Sequence, residues 1–205
     1  MKDIIIIGAG SVGGHVAINA QAYGISGRII GFLDDDTKKQ SKEFCGYPVI
    51  SDLSWLQDRS NLSVILGIAF PQAKIKIYNK YLQNSNFNYP TLIHPQAWIS
   101  EGCKIHSGSI IYPNTSINYG SEIGVYCVVN MNCALGHHAK IGKFSSLAPG
   151  VFLGGHTTIG DQVEMGIGSS TLQSVQIGSC SIIGGQSIII GSIPSKSTVK
   201  GIPAK

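Results

Sequence analysis

An aliphatic side chain returns at every sixth position from Ile93 to Ile189, and residues 1–90 before it follow a strand, glycine turn, helix and strand order. The two patterns predict two folds in one chain: an α/β Rossmann-like half-domain over residues 1–90 and an all-β parallel β-helix over residues 91–205. The series reads Ile93, Ile99, Ile105, Ile111, Ile117, Ile123, Val129, Leu135, Ile141, Leu147, Leu153, Ile159 and Met165, breaks at Thr171, and resumes at Ile177, Ile183 and Ile189. Two residues before each aliphatic stands a smaller one, from Ala97 and Cys103 through Ser109, Thr115 and Ser121 to Ser187. Helices repeat at three and four residues and amphipathic strands at two, so neither explains a period of six. A short strand with two inward side chains and a corner does, and three such units close a triangular coil of roughly 18 residues. A β-sandwich is the alternative, but its turn signals recur every ~8–12 residues. Gly124, Gly136, Gly142, Gly154, Gly160, Gly166, Gly178 and Gly184 directly follow aliphatic positions and are expected to serve the corners. The period does not give the hand, and left-handed parallel crossovers are rare.

In the first half, Ile4–Ile7 reads as a buried strand, followed by a glycine turn from Gly8 and an Ala-containing helix ending near Gly24. A second strand, 28–33, stops at the acidic triplet Asp34, Asp35 and Asp36. Gly8, Gly10 and Gly13 have G-x-G-x-x-G spacing, which in a Rossmann unit lets backbone amides approach a diphosphate while the acid accepts from a ribose hydroxyl. Close packing of helix on strand would require the same glycines, so both readings stand. A short helix near 52–57, a strand at 63–66 ending at Gly67, a helix over 71–82 and a polar linker over 83–89 complete a truncated β-α-β-α-β unit. It is sized for one nucleotide and not for NAD. In the second half no long insertion interrupts the repeat, and after Ile189 the register slips, so VKGIPAK at the end is expected to cap the last coil and cover its strand edges.

Only 13% of residues are charged, the net charge is +4, and the 26 glycines suit a solenoid. The basic residues form no cluster with interleaved aromatics, which disfavours nucleic-acid binding; Lys196, Lys200 and Lys205 give the C-terminus a local positive bias toward phosphates. No apolar run approaches the ~20 residues that span a membrane. Five cysteines without a C-x-x-C pair, three of them in the small inward slot, read as core fillers. With no signal peptide, a cytoplasmic location is expected.

His94 and His106 follow aliphatic positions and read as surface or corner residues. His137 and His138 stand two and three positions after Leu135, at a corner, and His156 lies one coil beyond His138 on the same corner. Imidazole titrates nearest neutrality and suits proton removal from an amine or hydroxyl attacking a thioester, so His137 is the candidate general base. His138 and His156, stacked about one strand spacing apart, raise a metal site whose third ligand would come from His137 or a neighbouring subunit; the zinc-ligand spacing of γ-carbonic anhydrases, which are left-handed β-helices, is not reproduced, and no metal is expected.

GFLDDD at 31–36 after the glycine turn, GHHAKIG at 136–142, SLAPG at 146–150 and the terminal GIPAK at 201–205 together resemble the PglD/NeuD-like sugar acetyltransferases over essentially the whole chain. The resemblance implies a left-handed helix, acetyl-CoA as co-substrate, and transfer to the amino group of a UDP-, GDP- or dTDP-linked deoxyamino sugar, or to a sialic acid hydroxyl as in NeuD-type members. The family's base falls on His137. His138 stands where the family usually has a carboxylate, Ser146 where it has a further histidine, and His156 where Asn is common. The glycine turn lacks the family's histidine. Carried over, catalytic roles fall on His137 and His138, nucleotide-sugar contacts on Ser11, Val12, Gly13, Asp34, Asp35 and Gly67, and acetyl-CoA contacts on Ser146, Gly155, Ile167 and Gly185. His137 and Gly155 stand one coil apart on one corner, while Ile167 and Gly185 share another, so a homotrimer with sites between subunits is expected. A nucleotide-sugar-binding protein whose helix serves only assembly is the reading from another functional class.

Overall fold

Each strand of the six-residue repeat pairs with its equivalent one coil later. In the computed structural model, which describes residues 2–83 and 86–205, Ile117 pairs with Leu135, Leu135 with Leu153, Leu153 with Thr171 and Thr171 with Ile189, all in parallel register. Three faces result. The first runs from Leu92–Ile93 to Thr198–Val199, the second from Trp98–Ile99 to Ile188–Ile189, and the third from Lys104–Ile105 to Gln176–Ile177. Two-residue strands have no stability alone. They persist because the aliphatics from Ile111 to Ile189 form one continuous buried column. The helix is left-handed. Its opening coils are less enclosed, with Ile93 exposed and Ile99 and Ile105 half-buried.

The small inward slot does more than fill space. Ser109 Oγ donates to the Gly124 carbonyl at 2.7 Å and accepts from the Cys127 N–H at 3.0 Å. Ser121, two corners on, and Ser145, two coils on, repeat the arrangement, donating to Gly136 and Gly160 carbonyls and accepting from Ala139 and Val163 N–H groups. Cys127 and Cys133 thiols donate to the Gly142 and Ala148 carbonyls in the same way. Corner backbone groups that no strand can pair are thereby satisfied from inside the prism. Thr171, the break in the aliphatic series, is accommodated by the same chemistry: its hydroxyl lies 2.9 Å from Thr157 Oγ1 and accepts from the Gly154 N–H at 3.1 Å.

The glycines after the aliphatic positions serve a different purpose from the one expected. None has a positive φ; the left-handed residues stand two positions later, among them Tyr126, His138, Phe144, His156 and Gln162. What excludes a side chain is the next coil. A Cβ on Gly142 would lie 2.4 Å from the Gly160 carbonyl carbon, and one on Gly136 would lie 2.6 Å from the Gly155 nitrogen. At the C-terminus, Thr198–Val199 extends the first face, and Ala204 N–H donates to the Ile188 carbonyl at 2.8 Å, closing the last rung.

Residues 1–90 and 91–205 are separate compact units. In the first, β1 (Ile4–Ile7), β2 (Ile29–Leu33), β3 (Glu43–Phe44), β4 (Tyr47–Ser51) and β5 (Ser63–Leu66) form one sheet in the order β3-β4-β2-β1-β5. All but β3 run parallel, and β1, paired on both sides, is fully buried, as its unbroken isoleucine run requires. Helix α1 (Ser11–Ile18) follows β1, ending before the expected Gly24, and α2 (Pro71–Ile77) follows β5 and winds into a π turn over Tyr78–Leu82. The expected second β-α-β crossover is replaced. Cys45 and Gly46, with φ of 50° and 81°, form a two-residue hairpin that sets β3 antiparallel to β4, and only the short 3₁₀ turn Leu53–Leu56, capped by the Asp52 carboxylate, leads to β5. Of the expected linker 83–89, residues 84 and 85 lie outside the described residues. Among the described residues no helix is long and apolar enough to cross a membrane.

Candidate active site

The corner that follows the second face collects three imidazoles because every turn of the prism brings the chain back to it. Two positions beyond each inward aliphatic stand Tyr119, His137 and Gly155; three positions beyond stand Gly120, His138 and His156. His138 and His156 adopt left-handed backbone conformations, φ 59° and 58°, which turn the chain sharply and present both rings on the corner. Glycine opens the space on each column. A Cβ on Gly155 would lie 2.7 Å from His137 Nε2, and one on Gly120 would lie 2.7 Å from His138 Cδ2.

The rings are held by contact with one another. His137 lies flat on Tyr119, with centroids 5.5 Å apart and planes within 12°. His138 is stacked on His156 at 4.9 Å and 7°, and His137 stands edge-on to both. The Nδ1 atoms of His137 and His138 are 3.1 Å apart, so one donates and the other accepts. With His138 accepting, the His137 hydrogen resides on Nδ1 and its lone pair on Nε2. In that tautomer His138 holds the His137 ring by a hydrogen bond without placing a fixed negative charge beside it. Sequence reasoning missed Tyr119, although its place one coil before His137 was the signal that could have found it.

The positions carried over for acetyl-CoA fall where the spacing places them, on two different corners and a face. Gly155 belongs to the histidine corner. Ile167, exposed, and Gly185 stack at the corner after the first face, where a Cβ on Gly185 would meet the Ile167 carbonyl oxygen at 3.2 Å. Ser146 lies in a first-face strand between Val128 and Glu164 and is almost fully buried.

In the N-terminal unit, Ser11, Val12, Asp34 and Gly67 line one cavity of about 210 Å³, together with Gly8, Gly10 and Lys39. Gly13 and Asp35 do not line it. Gly13 is consumed by packing: its N–H donates to the Gly67 carbonyl at 3.2 Å, and a Cβ there would lie 2.1 Å from the Gly8 oxygen. Asp35 accepts from the Leu53 N–H at 3.0 Å and so braces the 3₁₀ turn. Asp34 binds the glycine turn itself, accepting from the Ala9 N–H at 2.9 Å, and pairs with Lys39 at 2.9 Å. Burial alone would raise its pKa; the hydrogen bonds from Lys39 and from the Asp36 and Ala9 N–H groups outweigh that and hold the carboxyl below its ordinary value. Lys39 escaped sequence reasoning because its step from Asp34 belongs to no helical or strand period.

Comparison with known proteins adds a family. The PglD N-terminal domain family matches residues 3–81. A search of curated proteins gives no match. Among solved structures, the acetyltransferase domain of PglB from Neisseria gonorrhoeae in complex with acetyl coenzyme A is 31% identical, with TM-score 0.90, covering 100% of this chain and 98% of that one. A second structure of that domain is 30% identical with TM-score 0.92, covering 100% of this chain and 99% of that one. PerB from Caulobacter crescentus, in complex with CoA and GDP-perosamine, is 25% identical with TM-score 0.89, covering 100% and 97%. Identity at the PglB level along both whole chains, joined to a PglD-type N-terminal unit and a left-handed β-helix, makes this chain a member of the PglD/NeuD-like sugar acetyltransferases and thereby an acyltransferase.

Proposed function

We propose that this enzyme transfers the acetyl group of acetyl-CoA to the amino group of a nucleotide-linked deoxyamino sugar, with His137 as general base. The observation that carries the proposal is the 3.1 Å contact between the Nδ1 atoms of His137 and His138; with His137 donating and His138 accepting, the His137 lone pair stands on Nε2. The sugar nitrogen attacks the thioester carbonyl carbon and its proton passes to His137 Nε2. The C–S bond then breaks, and the CoA thiolate takes the proton back. The Gly155 N–H, which donates no hydrogen bond among the described residues, is available to the oxyanion beside that ring. PglB with acetyl coenzyme A and PerB with CoA and GDP-perosamine support both co-substrates.

In this reading the N-terminal cavity at Ser11, Val12, Asp34 and Gly67 takes the nucleotide, with Lys39 as the cation nearest its phosphates. Ile167, Gly185 and Ser146 contact acetyl-CoA. Ile167 and Gly185 occupy a different corner from His137, so a neighbouring subunit supplies them and the enzyme is a homotrimer acting in the cytoplasm, where acetyl-CoA is made. The exposed Trp98 and Phe152, both outward residues of second-face strands, support burial of that face against another subunit.

His137→Ala is expected to lower kcat by roughly 10²–10⁴-fold. CoA release would be measured with acetyl-CoA and a panel of UDP-, GDP- and dTDP-4-amino sugars and sialic acids. Release with a 4-amino sugar supports the proposal. Release with sialic acids alone makes the enzyme an O-acetyltransferase, and an unchanged rate in His137→Ala removes the base.

A further inference from the structure

The third imidazole of the corner, His156, moves no proton in the proposed acetyl transfer, yet it completes a group with a second capacity. One ring nitrogen from each of His137, His138 and His156 lies within 4.8 Å of the others; His137 is half-buried and the other two are exposed. Three imidazoles around one point form a donor set suited to late first-row divalent ions, zinc among them. Tetrahedral zinc with Zn–N bonds of 2.0–2.1 Å sets its ligand nitrogens about 3.3 Å apart. The His137–His138 pair already stands at 3.1 Å. Only the third nitrogen must approach, and exposed rings at a corner rotate without disturbing the core. No carboxylate belongs to the group, so the ion would keep its charge and an open fourth position toward solvent.

We propose that His137, His138 and His156 form a capture site for a single zinc ion, and that occupancy silences the enzyme. The metal is an inhibitor here and not a cofactor. A neutral imidazole has one lone pair on its two nitrogens. Once zinc takes that pair on His137, by either nitrogen, the other nitrogen carries hydrogen and the ring accepts no proton. The capture site stands on geometry alone; the inhibitory consequence rests on His137 being the base.

The test uses the untagged chain of residues 1–205 and zinc chloride. Calorimetric titration should give one zinc per chain, and His156→Asn should weaken it about 10-fold or more, since even residues that only orient metal ligands are worth about 10–100-fold. In parallel, the rate of sugar acetylation should fall with the same zinc midpoint and recover on adding EDTA, and His156→Asn, referred to its own zinc-free rate, should require correspondingly more zinc for inhibition. Initial rates must be read before released CoA accumulates, because its thiol competes for zinc. Absence of saturable binding, or equal affinity in His156→Asn, overturns the capture site whatever the role of His137. Tight binding dependent on His156 with no loss of rate overturns the inhibition, and with it the assignment of His137 as base.

Discussion

Gly155→Ala tests the active-site geometry with a single methyl group. The glycine has no positive φ, so alanine fits the backbone. The added Cβ would stand 2.7 Å from His137 Nε2, 3.0 Å from Cε1 and 3.1 Å from Cδ2. Ordinary contact between such atoms is ~3.5–4.0 Å, so the ring must retreat by about 1 Å. Tyr119, stacked flat on the ring's other side, blocks retreat along the stack. Displacement is therefore sideways, and the 3.1 Å contact with His138 is lost or bent. Misplacing a reacting group by about 1 Å costs on the order of 10²-fold in rate. Steady-state CoA release, with kcat and the KM for acetyl-CoA fitted separately, would measure it, and the thermal unfolding midpoint would confirm that the variant folds. A folded variant whose kcat stays within about twofold of the parent's would refute the reasoning. A rise in KM alone would leave Gly155 as a cofactor contact and nothing more.

Other consequences follow from the interior and from the acidic turn. Ser109→Ala should destabilise the fold by about 1–3 kcal/mol in chemical unfolding, because the Gly124 carbonyl and Cys127 N–H both lose their partner; Ser109→Cys should restore part of it. Asp34 has a lowered pKa in the fold, so it contributes stability that is fully present above the unfolded carboxyl value and disappears as pH falls through the folded one. Asp34→Asn should accordingly cost stability near pH 7, with the difference from the parent shrinking below about pH 4. The Cys133 thiol is pushed up to about 11 by burial, partly offset by backbone hydrogen bonds. Mass spectrometry after alkylation of the folded protein near pH 8 should find Cys133 unmodified, with labelling appearing on unfolding.

The histidine corner was legible because the coil length converts sequence distance into contact. Residues 119, 137 and 155 had to stack once three hexads made each coil. The N-terminal cavity was less legible. Its glycines fit both a nucleotide turn and close packing, and the structure divides them: Gly10 lines the cavity, while Gly13 is spent against Gly8 and Gly67. Asp35, adjacent to Asp34 in the chain, went to the 3₁₀ turn because neighbouring residues of an extended segment point opposite ways. The β3–β4 hairpin had a cue in Cys45-Gly46, but cysteine rarely adopts left-handed backbone, and the pair did not stand out as a turn.

What the sequence determined alone was everything that periodicity dictates: the prism, its buried column, the stacking of corners from one coil to the next and the strand-turn-helix opening of the first unit. Those features follow from which residues must leave water, and hydrophobic burial needs only a pattern. The tertiary structure decided the polar assignments: which hydroxyl bonds which carbonyl of the neighbouring coil, which glycine yields to the coil above it, which acid faces the cavity, and how three imidazoles share one corner. Hydrogen bonds and metal ligation depend on direction and on tenths of an ångström, and no spacing along a chain contains those.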